Sequence, residues 1–295
     1  MPTSKLPAPP AAPAPPDSIG APRQRRERLI NRHPSRALRL LLAALPFVLL
    51  AALYFGASAH RLAENPADKL LPSLSQMVDA VERMAFEADT RSGEVLLWQD
   101  TGSSLRRLLL GLALSAALGL VFGILAGSLP LFSAPLSPLV AVIGMIPPLA
   151  ILPILFIVFG LGELSKVVLI VIGVAPVLMR DIEGHARAIP PELLIKAQTL
   201  GANSWTTILR VVLPQLLPRL LTAVRLQLGA AWLFLIAAEA IASSDGLGYR
   251  IFLMRRYLAM DVILPYVAWI TLLAYCMDLL LRGASRRLFP WATSR

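Results

Sequence analysis

The sequence contains one cysteine, Cys276, so no intrachain disulfide can form. Its three histidines are far apart in the chain, and none stands at a spacing typical of metal ligands. A G-x-x-x-x-G-K-[ST] motif is missing, which excludes ATP binding by that route. The sequence also pairs no nucleophile with a base and places no two carboxylates in one predicted cleft. We therefore predict no catalytic residue, no metal site and no cofactor on this chain.

Acidic residues are also scarce: 18 Asp and Glu stand against 28 Lys and Arg, a formal net charge of +10. Such a charge can indicate nucleic-acid binding, but the basic residues flank apolar runs and form no separate domain, so we predict no nucleic-acid partner. What the chain has in abundance is hydrophobic residues, at 56%, clustered into runs of about 20 that can cross a lipid bilayer as helices. The expected fold is an all-α membrane protein with about six transmembrane helices.

The order of charges and apolar runs suggests a domain plan. Six crossings put both termini on one side, and the basic ends identify that side as the cytoplasm. In the outer segment, Ser73-x-x-Gln76 resembles a helix capping box and predicts a short amphipathic helix. The parts are a disordered basic Pro/Ala-rich tail (1–36), the first transmembrane helix (37–58), a periplasmic segment with the amphipathic helix (59–101), a core (102–289) and a C-terminal tail (290–295).

Small residues recur along the second apolar run at spacings of four and eight. Such spacing allows helices to approach closely, either inside one bundle or at a dimer face. We favour packing inside the bundle and keep a dimer face as the alternative. The residues are Gly111, Gly119, Gly123 and Gly127.

Prolines and buried charges mark candidates for a translocation pathway. Pro147 and Pro148 interrupt the third run, and a broken helix in lipid must face protein or a water-lined cavity. Glu239, near the outer end of the fifth run, is expected to line the pathway, to attract cations or to pair internally. Arg225 is expected to snorkel, and Asp278 to pair with Arg282 four residues on.

A polar island at 190–214 lies between the fourth and fifth runs and predicts a helix-glycine-helix hairpin. Pro191 suits a first helical position, and Gly201 suits a left-handed C-terminal cap. Asn203 or Ser204 can cap the second helix, which should end or bend near Pro214. The charge balance predicts that this hairpin is cytoplasmic.

The hairpin carries the motif Ala197-x-x-x-Gly201, followed after nine residues by Val211-x-Leu213-Pro214. This pattern resembles the cytoplasmic loop of ABC importer permeases. In that family the loop reads Glu-Ala-Ala, three residues, Gly, nine residues and then Ile-x-Leu-Pro. The likeness covers about residues 70–289. Its blocks look like the nitrate/sulfonate/taurine-type subfamily: LLPSLSQ, SSLRRLLLGLALSAALGLVFGILAG, IPPLAILPILFIVFGLGELSK, LGAAWLFLIAAEAI and DGLGYRI. Here Ile195 and Lys196 stand where the loop usually carries Glu-Ala.

The resemblance implies a MetI-like permease bundle in the bacterial inner membrane, with a cytoplasmic coupling hairpin. It further implies two separate ATPase subunits that hold ATP and magnesium, a second permease copy in a homodimer, and a periplasmic or lipid-anchored substrate-binding protein. The hairpin would dock in a groove of the ATPase, with an apolar surface that includes Leu194. The residues we expect at this ATPase contact are Glu192, Lys196, Ala197, Leu200, Gly201, Ala202 and Trp205.

The subfamily imports small anions such as nitrate, alkanesulfonates and taurine, whereas the block RRYLAMDVILPYVAWITLLAY resembles permeases for urea- or guanidine-like solutes. The transported solute therefore stays open between these two kinds. The alternative function is an ATP-independent secondary transporter or channel, in which the hairpin has no partner. A membrane-bound enzyme is a remote third possibility because no catalytic constellation is present.

Overall fold

The computed structural model describes residues 34–65, 68–90 and 93–292, so most of the predicted N-terminal tail lies outside the described residues. Within those ranges the regular structure is helical. The helices are α1 (Arg36–Glu64), α2 (Leu74–Phe86), α3 (Leu96–Ser128), α4 (Pro130–Ile143), α5 (Leu152–Phe159), α6 (Glu163–Arg187), α7 (Pro191–Thr199), α8 (Ser204–Thr207), α9 (Leu213–Ile241), α10 (Leu247–Arg255) and α11 (Met260–Leu288). Short 3-10 turns cover Pro148–Ile151 and Pro290–Ala292.

Among the described residues, those from Tyr54 onward belong to one compact unit, and the part of α1 before Tyr54 belongs to another. Within the unit that begins at Tyr54, side chains from the end of α1 hold the loop that follows it. The Tyr54 hydroxyl donates to the carbonyl oxygen of Pro72 at 2.9 Å, and the Ser58 hydroxyl donates to that of Leu71 at 2.9 Å. These bonds fix the start of α2.

Helix α2 is the amphipathic helix that the sequence predicts. The Gln76 backbone N–H donates to the Ser73 hydroxyl, and the Gln76 side chain accepts from the Ser73 backbone N–H, so the capping box is confirmed. The helix packs against α11 and α3. Its last turn is fixed by Trp98, whose indole donates to the carbonyl oxygen of Ala85 at 3.0 Å.

Three helices, α3, α6 and α9, form the core of the bundle, and the α3–α6 contact is the most extensive. The glycines of α3 face Ile170, Leu178, Ile182 and Ala186 of α6. A Cβ added at Gly111, Gly119, Gly123 or Gly127 would lie between 2.5 and 2.7 Å from one of these side chains. Each glycine meets its partner at a constant sequence separation, so the two helices are parallel. The expected packing inside the bundle is confirmed, and this stripe is not a free dimer face.

The third predicted span is broken, as its prolines suggest. Helix α4 and the segment Pro148–Phe159 are bent by 80° at a short break that contains Pro147. Ser137 of α4 donates to Glu183 near the end of α6, whereas α5 ends just before the start of α6. The bent pair therefore returns the chain from one end of the bundle to the other.

Among the described residues, four helices are long and apolar enough to cross a membrane: α1, α3, the helix Ser204–Ile241 and α11. The bent pair is a fifth if its two helices count as one span. Helix α6, the remaining predicted span, is 25 residues long but carries charges in both of its end turns. Its middle is uncharged and packs along α3 through the glycine stripe. The predicted count of six crossings is therefore reached only if α6, which runs parallel to α3, also crosses the membrane.

The sequence predicts that the second hairpin helix ends or bends near Pro214, but the helix does not end there. Helices α8 and α9 are joined through a π-helical turn over Ile208–Val212 into one helix, Ser204–Ile241. In a regular α-helix the ring of Pro214 would meet the carbonyl group of Arg210. The wider turn, in which the Leu213 N–H bonds to the Ile208 oxygen, accommodates the proline and lets the helix continue.

Candidate functional site

The hairpin at 190–214 is built by local capping. Gly201 has a φ of +80°, the left-handed value that the sequence predicts for it. The Gly201 N–H donates to the Gln198 oxygen and the Ala202 N–H to the Ala197 oxygen, the two bonds of a Schellman motif. Asn203 then caps α8, since its side-chain oxygen accepts from the Thr206 N–H at 2.8 Å. Both caps are confirmed.

The hairpin exposes large apolar side chains. Leu200 is 80% exposed, Trp205 62% and Ile195 58%. Leu194 differs from the expectation, because it packs against the core beneath the hairpin and is not part of the exposed surface. Of the seven residues predicted for the ATPase contact, Ala197 and Ala202 are half-buried, and the others are exposed: Glu192, Lys196, Leu200, Gly201 and Trp205. We call this exposed set the hairpin surface.

The opposite end of the bundle holds a charge cluster centred on the buried Arg107 of α3. Its guanidinium group uses all five donors: two bond to the Glu163 carboxylate, one to Glu239, one to the Asp245 carboxylate and one to the Asp245 backbone oxygen. Arg107 is 2% exposed, and its Nη1 lies 2.7 Å from Glu239 Oε1. Lys166 adds a second positive charge, 3.1 Å from Glu163.

Glu239 is fully buried in this cluster. Besides Arg107, its carboxylate accepts from the Ser104 hydroxyl and, at 2.9 Å, from the Gly248 backbone N–H. A Cβ added at Gly246 would lie 2.6 Å from the carboxylate, so only glycine allows this close approach. Of the three roles considered for Glu239, internal pairing is the arrangement that the structure contains.

A second ion pair lies beside the cluster. Arg250 of α10 donates to the Asp100 carboxylate at 2.8 Å, and Asp100 also accepts from the Gly246 N–H. Together the two groups tie α3 to the loop between α9 and α10. In that loop, burial alone would raise the pKa of the Asp245 carboxyl, but the hydrogen bonds from Arg107 and Ser103 outweigh it and hold the pKa below its ordinary value.

The expectation that Arg225 snorkels is wrong. Its Nε lies 2.8 Å from Oδ1 of Asp278 on α11, because the two helices bring the groups together at the bundle surface. Asp278 also accepts from Arg282 at 3.0 Å, so the predicted pair four residues apart is confirmed. This Asp278 triad carries a net charge of +1 and joins α9 to α11.

The two predicted pathway prolines lie at the break between α4 and α5. Pro147 is exposed and Pro148 half-buried. Their neighbours Met145 and Ile146 are also exposed, at 78% and 42%. The bend thus presents an apolar face to the surroundings of this chain, and a pathway role for it stays a prediction.

Sequence reasoning missed Arg107, Asp100, Glu163 and Asp245. The signal was present for Arg107, because an arginine one turn inside an apolar run is costly unless it is paired. In the parts of the chain that the structure describes, no group of three His, Cys, Asp or Glu could hold a metal ion. That the chain carries no cofactor of its own stays a prediction.

These features define a helical membrane protein with the charge cluster at one end of its bundle and the exposed apolar hairpin at the other. The family model for the binding-protein-dependent transport system inner membrane component matches residues 119–291. The chain belongs to this family of inner-membrane permeases.

Similar proteins agree with the assignment. The chain is 38% identical over 199 residues to the taurine transport system permease protein TauC of Escherichia coli K12, covering 67% of this chain and 72% of that one. It is 34% identical to the putative aliphatic sulfonates transport permease protein SsuC of Bacillus subtilis 168, over 72% and 76% of the two chains. Inward-facing MetNI, a methionine ABC transporter, has a chain of the same fold with a TM-score of 0.57, 22% identity and coverage of 70% and 100%.

Proposed function

We propose that this permease subunit imports a small polar solute by alternating access, driven by two separate ATPase subunits that bind the hairpin surface and hold ATP and magnesium. The observation that carries the coupling role is the exposure of Leu200 and Trp205 on a hairpin that the Gly201 and Asn203 caps hold in one shape. Burying such a side chain against a partner contributes about 1.5–3 kcal/mol. A solvated hairpin would gain nothing from exposing them.

The hairpin surface suggests how the contact differs from the usual loop. Ile195 replaces the usual acidic residue and is 58% exposed on the same hairpin. The contact would therefore rest on apolar burial by Ile195, Leu200 and Trp205. Lys196 and Glu192 are both exposed and would supply polar contacts at its edge.

The three core helices provide a mechanical link from the hairpin to the opposite end. Helix α6 spans about 37 Å at about 1.5 Å per residue, from the charge cluster to the residues just before the hairpin. Its interlock with the α3 glycines resists sliding, since any shift drives side chains into backbone. Movement of the hairpin would thus shift α3, α6 and α9 as a block, and the bent α4–α5 pair would border the pathway.

The family and the named relatives support a proposal for the partners and the solute. We propose a homodimer in the bacterial inner membrane, with cytoplasmic termini and a substrate-binding protein at the charge-cluster end. The relatives named for taurine and for aliphatic sulfonates favour a small sulfonate-like anion. A urea- or guanidine-like solute is the alternative, which competition for uptake would separate.

Substitution of Gly201 tests the coupling role. A β-branched residue at φ +80° is strained by about 1–2 kcal/mol, so Gly201→Val should reshape the hairpin and weaken ATPase capture and ATP-driven uptake about tenfold. Gly201→Asn should retain more, because asparagine tolerates this conformation. Gly184→Ala on α6 is the control, since an added Cβ there meets nothing within 4 Å.

Membrane insertion should be alike in all three variants. Wild-type capture and uptake by Gly201→Val would contradict the docking role. ATP-independent uptake by the purified chain alone would favour the channel or secondary transporter instead.

A further inference from the structure

A cavity of about 550 Å³ opens at the hairpin end of the bundle, between the ends of α6 and α11 and the start of α9. This volume lies in the range of small-molecule sites, about 300–1,000 Å³. One part of the wall is apolar and is formed by Pro190, Leu216 and Trp291. The rest is polar and includes Arg219 and Ser285, so we call this space the hairpin-root cavity.

Arg219 is the permanently charged residue in the lining of the hairpin-root cavity, and none of the described aspartates and glutamates lines it. Arg219 forms no hydrogen bond or ion pair within the described residues, and the Ser285 hydroxyl likewise donates to no group there. His185 also lines the cavity and is held at the wall by Asp181, whose backbone oxygen lies 2.8 Å and whose carboxylate lies 3.4 Å from Nδ1.

The helices around the cavity add further positive charge. The Asp278 triad lies one helical turn beyond Thr222 on α9 and one turn before Ser285 on α11, and its two arginines outnumber its one carboxylate. An anion in the cavity would therefore find an unpaired guanidinium, a free hydroxyl and a net positive wall. Arginine binds tetrahedral oxyanions in a bidentate manner, and basic pockets between membrane helices bind lipid headgroups.

We propose that the hairpin-root cavity binds the phosphate group of an anionic ligand, with Arg219 as the main contact and Ser285 as a second donor. The ligand would be either the headgroup of an anionic phospholipid or a soluble phosphate. The apolar side chains of Leu216 and Trp291 in the cavity wall would cover any carbon atoms of the ligand next to its phosphate. Because the cavity includes Pro190, where the hairpin begins, a bound ligand would tie the hairpin to α9 and α11.

Two binding assays on the full purified chain separate the sources. The first measures binding of labelled inorganic phosphate in detergent. The second measures, by native mass spectrometry, the lipid retained after reconstitution with phosphatidylglycerol or with phosphatidylcholine. Arg219→Gln should weaken the binding that is found by about tenfold or more, the usual effect of losing a charged hydrogen bond. The control is Arg180→Gln, which removes an exposed charge of α6 outside the cavity lining.

Saturable phosphate binding that depends on Arg219 would assign a soluble ligand. Selective retention of phosphatidylglycerol with the same dependence would assign a lipid. Absence of both, or equal weakening by the two substitutions, would overturn the proposal. If Arg219→Gln does not give a monodisperse protein, Ser285→Ala takes its place and should weaken binding while Arg180→Gln does not.

Discussion

Replacing Arg107 tests whether the charge cluster braces the fold. Arg107→Met removes five hydrogen bonds and leaves Glu239 buried without its positive partner. At about 0.6 kcal/mol for each of the three interhelical bonds, two to Glu163 and one to Glu239, the lost bonds amount to about 2 kcal/mol. Breaking a buried ion pair by removing one partner typically costs about 3–5 kcal/mol. We therefore expect a loss of about 2–5 kcal/mol in the free energy of unfolding.

The adjacent residue supplies a matched control. Arg106 is exposed, whereas Arg107 is 2% exposed, so Arg106→Met removes the same charge without opening the cluster. Thermal unfolding in detergent, followed by circular dichroism, should show Arg107→Met lower by about 10 °C and Arg106→Met within about 2 °C of the parent. Equal losses for the two variants would refute the reasoning, because they would show that burial and pairing of Arg107 contribute nothing.

Two further predictions concern packing and pH. Gly119→Ala should lower the free energy of unfolding by about 1–3 kcal/mol, because the added Cβ would lie 2.6 Å from the Cβ of Leu178. Gly229→Ala is the control and should not lower it, since an added Cβ there meets open space. Thermal unfolding of the two variants checks this, and equal stability would contradict the close packing of α3 on α6. The lowered pKa of Asp245 means that its ionised carboxylate stabilises the fold at neutral pH, and that this stability is lost as the pH falls below 3.8 through the folded-state pKa. Asp245→Asn should therefore lose less stability than the parent over that acid range, and parallel curves would count against the pairing with Arg107.

Local features were predictable because their causes are local. The capping box of α2 and the caps at Gly201 and Asn203 depend on residues within a few positions of one another. The glycine stripe was predictable as a packing surface, but its partner helix was not, because spacing alone does not identify the facing helix.

The charge cluster could not be assembled from the sequence. Glu239 and Arg107 lie on different helices, and only the parallel packing of α3 and α6 brings Glu163 to the same point. The continuation of the hairpin helix through Pro214 was missed for a different reason. A proline predicts an interruption, but a π-helical turn absorbs it, and that turn has no signature in the residues before it.

Cross-linking from the hairpin tests the central claim most directly. The one native cysteine, Cys276, is exposed and is first removed by Cys276→Ser. Leu200→Cys then places a thiol on the hairpin surface, at a residue that is 80% exposed. In membranes that contain the cognate transporter, the account predicts a cross-link from this thiol to a separate ATPase subunit, with a yield that changes on addition of ATP. A complex that transports the solute with ATP but gives no such cross-link, while a cysteine on the α4–α5 bend does, would contradict it.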